Sequence, residues 1–314
     1  MVGNIIFIGH VSMDWVKNVN GVRIQPGGAA LYAAIAARTL LKDVRAVSVI
    51  GRDYKFMNVL KLFDSEHVKV FNMPSTRFHI QYNEQWEASY LKVNYGAGAR
   101  ITASTIPVKE FGADDIVHLS PMRSTKVEKI VNKIREESPD TAISINTWIN
   151  YIKEGRKARN ILKKLALKTD FFILNDSEAK ALTQTDSLSS ALRLLKAKML
   201  IVTLGELGAI ISGDNSGIQM VPALKVPIGK VVDTTGAGDT WCGAFLAAYK
   251  LTSNIMKSIT TASIISSIMC SDWSFNSLKN LEFRKPEDVI EYVIALKEGG
   301  LQKRISDYTK SAPK

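Results

Sequence analysis

The chain reads as an α/β protein: a central, mostly parallel β-sheet flanked by helices, with a small β element inserted. Short apolar strands alternate with helical stretches along most of the sequence, as a parallel sheet with helices on both faces requires. Two segments interrupt that alternation, and the second has the period-2 character of an inserted β element. Bulk composition agrees, because 314 residues that are 46% hydrophobic and 23% charged exclude intrinsic disorder and bury a large core without staples. We expect one domain over 1–314.

NIIFIG (Asn4 to Gly9) is a short apolar run ending in glycine, which predicts a buried strand. GGAALYAAIAARTLL (Gly27 to Leu41) reads as a loop entering an Ala-rich helix, and VRAVSVIG (Val44 to Gly51) as the next strand. DIVHLS (115–120), TAISIN (141–146), DFFILN (170–175) and MLIVTLG (199–205) continue the strands. Helices are predicted near Thr125 to Arg135, Glu154 to Leu167 and Leu188 to Lys198, then from Ala237 to Cys270 in two segments around Leu251 to Asn254. GAIISG and GIQMVP after Gly205 have a hairpin pattern, and the polar tail from Gln302 is expected to be mobile.

The interruptions are 11–26 and 77–101. In the second, RFHIQY and EASYLKV alternate in polarity around a polar NEQW, which is a hairpin signature. A small β element inserted in an α/β domain serves as a lid or a dimer contact.

Two cysteines, Cys242 and Cys270, exclude a disulfide scaffold and a zinc finger. No cationic leader and no apolar run of membrane length is visible, so a cytoplasmic protein without a membrane partner is expected. The net charge of +11 suits nucleic acid, anionic small molecules or solubility alone. Its densest stretch, KEGRKARNILKKLALK (Lys153 to Lys168), spaces Ile161, Leu162, Leu165 and Leu167 among cations as an amphipathic helix does. It reads as a solvated face; no aromatic RNA-binding motif accompanies it, and no nucleic-acid partner is expected.

The sharpest segment is VVDTTGAGDTWCGAFLAAY, Val231 to Tyr249. Gly236-Ala237-Gly238 precedes Asp239 and a strongly helical stretch. A glycine-rich turn feeding a helix aims backbone N–H groups one way, and the helix dipole adds positive potential there. That arrangement suits a phosphoryl group, and a carboxylate beside it can accept the proton of an attacking hydroxyl. No GK[ST] follows, so the segment is not a Walker A loop, and it is not a GxGxxG turn after a strand.

DTTGAGD with this following helix resembles the ribokinase-like (PfkB) family of sugar and nucleoside kinases, and the resemblance runs from about Ile5 to Ala295. Four further motifs stand in the family's order. Gly27-Gly28-Ala29-Ala30 before a helix is similar to its N-terminal glycine turn, and GHVSMD places Asp14 where the family grips substrate hydroxyls. Asn175-Asp176-Ser177-Glu178 matches its N-x-x-E motif, and Thr203 to Gly208 (TLGELG) matches a T-x-G-x-x-G segment at the nucleotide. Each alone has a structural reading as a cap, a turn or a surface acid.

The resemblance implies a three-layer fold in which 11–26 and 77–101 form the lid. It implies Asp239 as general base and Gly236, Ala237 and Gly238 as anion hole. Asp14, Gly27 and Gly28 would contact the acceptor, Thr203, Gly205 and Gly208 the nucleotide, and Asn175 and Glu178 would support Mg²⁺. The implied activity is ATP- and Mg²⁺-dependent phosphorylation of a hydroxyl on a small sugar or polyol, with nucleosides and inositols as alternatives; the inserted β element, read as a dimer contact, gives a homodimer through the lid. The reading of another class is a non-catalytic ligand-binding regulator, which loss of Asp239 or the anion hole would favour; both are intact.

The chain departs from the pattern in four places. Only twelve residues separate Asp14 from Gly27, an abbreviated first lid segment. AALYAA lacks the sugar-gripping asparagine, with Tyr32 as a replacement hydroxyl or a core tyrosine, and Trp241 replaces a phenylalanine. IMCSDWSFNSL lacks the Gly-Ala turn that frames adenine and a monovalent cation, so that cation stays open. His10, His67, His79 and His118 show no metal-ligand spacing; His118 is placed at a strand end facing the cleft, with Arg123 nearby. Cys242 and Cys270 read as core thiols, and Trp86 and Tyr90 as stacking residues for a sugar or base, or as dimer contacts.

Overall fold

The computed structural model describes residues 3–213, 216–224, 226–227 and 229–297; the basic tail from Gln302 lies outside them. In chain order the elements are β1 (Ile5–Ile8), β2 (Ser12–Asn18), β3 (Gly21–Gly27), α1 (Ala29–Arg38), β4 (Val44–Gly51), β5 (Val68–Phe71), β6 (Thr76–Tyr82) and β7 (Ala88–Asn94). Next come β8 (Ile116–Leu119), α2 (Ser124–Glu137), β9 (Ala142–Asn146), α3 (Ile149–Ile152), α4 (Arg156–Lys168), β10 (Phe171–Asn175), α5 (Asp176–Thr183), α6 (Leu188–Leu194) and β11 (Met199–Thr203). The chain continues through β12 (Gly208–Gly213), β13 (Ser216–Pro222), α7 (Ala237–Thr252), α8 (Ile255–Met269) and α9 (Pro286–Lys297).

The main sheet has nine strands in the order β13-β12-β11-β10-β9-β8-β1-β4-β5. It is parallel except for β12 and β13 at one edge. β1 is buried throughout, and its side chains divide the core between the two faces. Ile5 and Phe7 join the cluster under α1, α7 and α8, while Ile6 and Ile8 join the one under α2 and α4. A strand covered on both faces must be apolar at every position, which is why these strands read as continuous hydrophobic runs.

The Ala-rich α1 lies against α7. A Cβ on Gly243 would fall 2.0 Å from the Ala33 carbonyl oxygen, so the small residues of both helices set the close approach. The predicted helix Leu188 to Lys198 stops at Leu194, because Leu195 turns extended and buries its side chain. β5 and α9 carry no strong pattern and were not expected. Among the described residues no helix is long and apolar enough to cross a membrane.

Both lid segments are β structure and form one sheet, order β3-β2-β6-β7. β2 pairs antiparallel with β3 and parallel with β6. The lid is bonded to the body: Asn18 Nδ2 donates to the Val232 carbonyl at 3.0 Å, and Asn20 Nδ2 to Val231 and Val232 at 3.1 and 3.0 Å.

From β1 the chain builds outward to β4 and β5, then crosses back to β8 and builds the other way. The strand order therefore switches between β1 and β8. In open α/β sheets ligands bind at the carboxyl ends of strands at such a switch.

Candidate active site

A cavity of about 270 Å³ opens at that switch. His10, Pro121, Asn146, Asn175 and Thr203, which follow or end β1, β8, β9, β10 and β11, line its floor, and Phe78, Ile80, Tyr82 and Tyr90 of the lid cover it.

Asp14 is on β2, not in a surface loop, and is 2% exposed. Ser12 Oγ donates to its Oδ1 at 2.6 Å. Gly27 makes room for the carboxylate, since a Cβ there would lie 1.8 Å from Asp14 Oδ2. Gly27 thus shapes the site without lining the cavity, whereas Gly28, at φ +99, lines it as the cap of α1. Burial pushes the Asp14 pKa up to about 7, the Ser12 bond opposes the shift, and neighbouring Asp233 adds to it.

Gly236 caps α7 in the left-handed region at φ 78, and no side chain caps that helix. The Ala237 N–H is committed to the Thr234 carbonyl at 3.1 Å, closing the turn. That leaves the N–H groups of Gly238 and Asp239 as first-turn donors without an intrahelical acceptor. Ala237 therefore holds the loop's shape more than it offers a donor. Asp239 is half-buried in the first turn, and Asn146 Nδ2 donates to its Oδ1 at 3.1 Å. Burial raises the Asp239 pKa to about 6, with the Asn146 bond opposing.

Asn175 and Glu178 form a reciprocal capping box on α5: Glu178 N donates to Asn175 Oδ1 at 2.8 Å, and Asn175 N to Glu178 Oε2 at 3.0 Å. Both line the cavity, so the cap also aims them at it. Burial pushes Glu178 up to about 8, the Asn175 N–H opposes, and Asp239 reinforces. Among the described residues no cluster of three or more His, Cys, Asp or Glu forms a metal cage. One carboxylate and one amide oxygen nevertheless fit Mg²⁺, which keeps waters and takes its other ligands from nucleotide phosphates.

Thr203 lines the cavity, but Gly205 and Gly208 lie outside its lining. Gly205 is exposed at φ +59, and a Cβ on Gly208 would meet the Val221 oxygen at 2.0 Å, so both serve the β11–β12 turn. His118 does not face the cleft. It is fully buried in β8, edge-on to Phe7 at 5.7 Å and bonded to Ser144 Oγ at 3.0 Å, because β8 is covered on both faces. Arg123 is exposed and pairs with Glu154 at 3.2 Å.

Cys242 is buried but lines the cavity, and Cys270 is half-buried beyond it, its carbonyl accepting from Val232 N at 2.8 Å. Trp241 points into the core, stacked on Phe245 at 5.3 Å with Nε1 donating to Ser263 Oγ at 3.2 Å. Tyr32 is a core ring that also lines the cavity. Trp86 packs on Tyr82 at 6.1 Å in the hairpin loop, while Tyr90 reaches the cavity.

Sequence reasoning named Tyr90 but missed the rest of an aromatic wall. Phe78, Tyr90, Trp148 and Tyr151 converge on one side of the cavity, with Trp148 4.7 Å from Tyr90, 5.3 Å from Tyr151 and 6.4 Å from Phe78 between ring centres. It also missed Asn146, although TAISIN ends in asparagine as DFFILN does. Gln25 was missed too; its Nε2 donates to Asp233 Oδ2 at 2.7 Å and ties the lid to the DTTGAGD segment. Buried polar atoms of His10, Thr147, Thr234 and Thr235 lack a closed hydrogen bond, and all four residues line the cavity. Unpaired buried polar atoms gathered in one place mark where a polar ligand binds.

The family model described as pfkB family carbohydrate kinase matches residues 3–277. The chain is 28% identical over 255 residues to a cytidine kinase of Thermococcus kodakarensis, covering 78% of this chain and 88% of that one. It is 29% identical over 267 residues to a ribokinase of Lactococcus lactis, covering 79% and 83%. A ribokinase from Cryptococcus neoformans solved with ADP superposes with a TM-score of 0.76 at 17% identity, covering 92% of this chain and 99% of that one, a likeness of fold.

Proposed function

From the premise that the chain belongs to the pfkB family of carbohydrate kinases, and so is a phosphotransferase acting on a sugar or nucleoside, we propose that its acceptor is a nucleoside phosphorylated at a sugar hydroxyl with ATP as donor. The aromatic wall carries this reading: Phe78 of β6, Tyr90 of β7, and Trp148 and Tyr151 at α3 meet at the cavity. Stacking of a base on aromatic rings contributes about 1–3 kcal/mol, and a base offers such a wall a larger flat face than a free sugar or polyol, which the sequence alone ranks first. The similarity to a cytidine kinase points the same way.

In this reading Asp14 grips acceptor hydroxyls. Asp239 takes the proton of the attacking hydroxyl as its oxygen bonds to the γ-phosphorus and the bond to ADP breaks. The free N–H groups of the α7 N-terminus, with the loop at Gly236, hold the charge that develops on the transferred group. Asn175 and Glu178 would hold Mg²⁺ through its waters; bound there, it neutralises phosphate charge. Lid residues over the cavity exclude water, which limits hydrolysis of ATP. The expected homodimer would bury Val22, Ile24 and Leu91, which the lid exposes.

The test is an ATP- and Mg²⁺-dependent phosphorylation screen over nucleosides, free sugars, inositols and sugar phosphates, repeated with Tyr90→Leu. A nucleoside should lead, and Tyr90→Leu should raise its KM by about tenfold while sparing any slow turnover of ribose. A free sugar turned over faster than every nucleoside overturns the reading.

A further inference from the structure

We infer that His118 is a positioning residue for Asp239, acting through Asn146; the inference rests on the reading of Asp239 as general base. His118 and Ser144 sit side by side on β8 and β9, in register, and Asn146 follows two residues on from Ser144. His118 Nδ1 bonds to Ser144 Oγ at 3.0 Å, and Asn146 Nδ2 donates to Asp239 Oδ1 at 3.1 Å. The two atoms left over, His118 Nε2 and Asn146 Oδ1, are buried and lack any closed hydrogen bond. Ser144 and Asn146, two residues apart on β9, share the sheet face of His118, so the two leftover atoms fall to each other. Burial lowers the His118 pKa to about 3, and the Asn146 side chain opposes that shift.

Proton bookkeeping leaves one consistent arrangement. His118 is neutral, so one ring nitrogen carries the proton. If Nε2 carries it, Ser144 Oγ donates to Nδ1, Nε2–H faces Asn146 Oδ1, and Asn146 Nδ2 donates to Asp239. If Nδ1 carries it, the bare Nε2 faces the amide oxygen. Relieving that clash by an amide flip would aim Oδ1 at the Asp239 carboxylate. An ionised Asp239 therefore selects the first arrangement, with every hydrogen directed toward the carboxylate. Through it His118 fixes the amide and favours the ionised base at a site where burial disfavours charge. His118 touches no reactant.

The test is kcat and KM as functions of pH for His118→Phe, His118→Gln, Ser144→Ala and Asp239→Asn. His118→Phe keeps a ring against Phe7 and removes the donor. We expect kcat at least tenfold lower, both KM values within twofold, and the acidic limb of kcat moved up by half a pH unit or more. His118→Gln, which retains an N–H donor, should recover most of kcat. Ser144→Ala, which removes only a hydroxyl and so is expected to fold even where His118→Phe does not, should move the limb in the same direction. A folded His118→Phe, or failing that Ser144→Ala, with wild-type kcat and limb overturns the inference. If Asp239→Asn is inactive in that case, only the relay falls. If Asp239→Asn keeps near-wild-type turnover, the general-base reading and the relay fall together.

Discussion

The Tyr32 ring lies directly against Gly236: a Cβ at that glycine would come 2.4 Å from the ring carbons. The loop at the α7 N-terminus therefore rests on a side chain of α1, and its φ of +78 suits glycine. Gly236→Ala should cost about 1–2 kcal/mol for the left-handed conformation alone. Displacing the loop donors should lower kcat about 10²–10³-fold, the range for loss of an oxyanion-hole donor. Thermal melting and steady-state turnover check both; a variant with intact turnover would mean that the loop does not hold the transferred group.

Asp239→Asn should leave melting temperature and nucleotide binding close to wild type while reducing kcat by about 10²–10⁴-fold. The amide keeps the size of the carboxylate and an oxygen for Asn146. Parallel calorimetric ATP binding and turnover measurements separate the two effects, and near-wild-type turnover removes Asp239 from its role.

Activity and stability should respond oppositely to pH. With Asp239 raised to about 6, turnover should fall as pH drops through that value. Asp14 and Glu178, raised to about 7 and about 8 from ordinary values of 3.8 and 4.5, bind protons more tightly folded than unfolded. Their contribution to stability is present at low pH and lost as pH rises through the folded values. Below about 6.5 the effect is masked, because His10 and His118, lowered to about 3, oppose it. The clean window is therefore pH 6.5 to 8.5, in which the melting temperature should decline. A melting temperature that rises there contradicts the prediction, and Glu178→Gln should flatten the decline.

Glu178 has two jobs that substitution can separate. Glu178→Ala removes the cap on Asn175 N as well as the carboxylate, and should cost about 1 kcal/mol of stability. Glu178→Gln keeps a capping oxygen and should preserve the melting temperature at pH 6.5, where Glu178 is neutral. Both should raise the Mg²⁺ concentration needed for half-maximal rate, and an unchanged Mg²⁺ titration in the glutamine variant would detach Glu178 from the metal.

Gly27→Ala places a methyl group where Asp14 Oδ2 stands, 1.8 Å away. The expected result is a tenfold or greater rise in acceptor KM with ATP KM little changed, read from initial rates. A proportional loss on both substrates would indicate general unfolding of the lid instead.

The order of strands and helices was legible in the sequence because buried parallel strands must be apolar throughout and amphipathic helices must repeat every few residues. The candidate residues Asp14, Asn175, Glu178 and Asp239 were legible because each follows or ends such a strand, or opens a helix, within a local motif. What the sequence could not display was anything assembled from distant segments. Trp148 meets Tyr90, and Asn146 meets Asp239, only because the sheet switches direction between β1 and β8 and the lid folds over that edge. His118 shows the same limit, since a strand-end histidine next to a cleft reads identically whether its side chain faces solvent or the core. Local motifs follow from covalent spacing, whereas the wall, the network behind Asp239 and the division of labour among the glycines follow from packing, which tertiary structure alone decides.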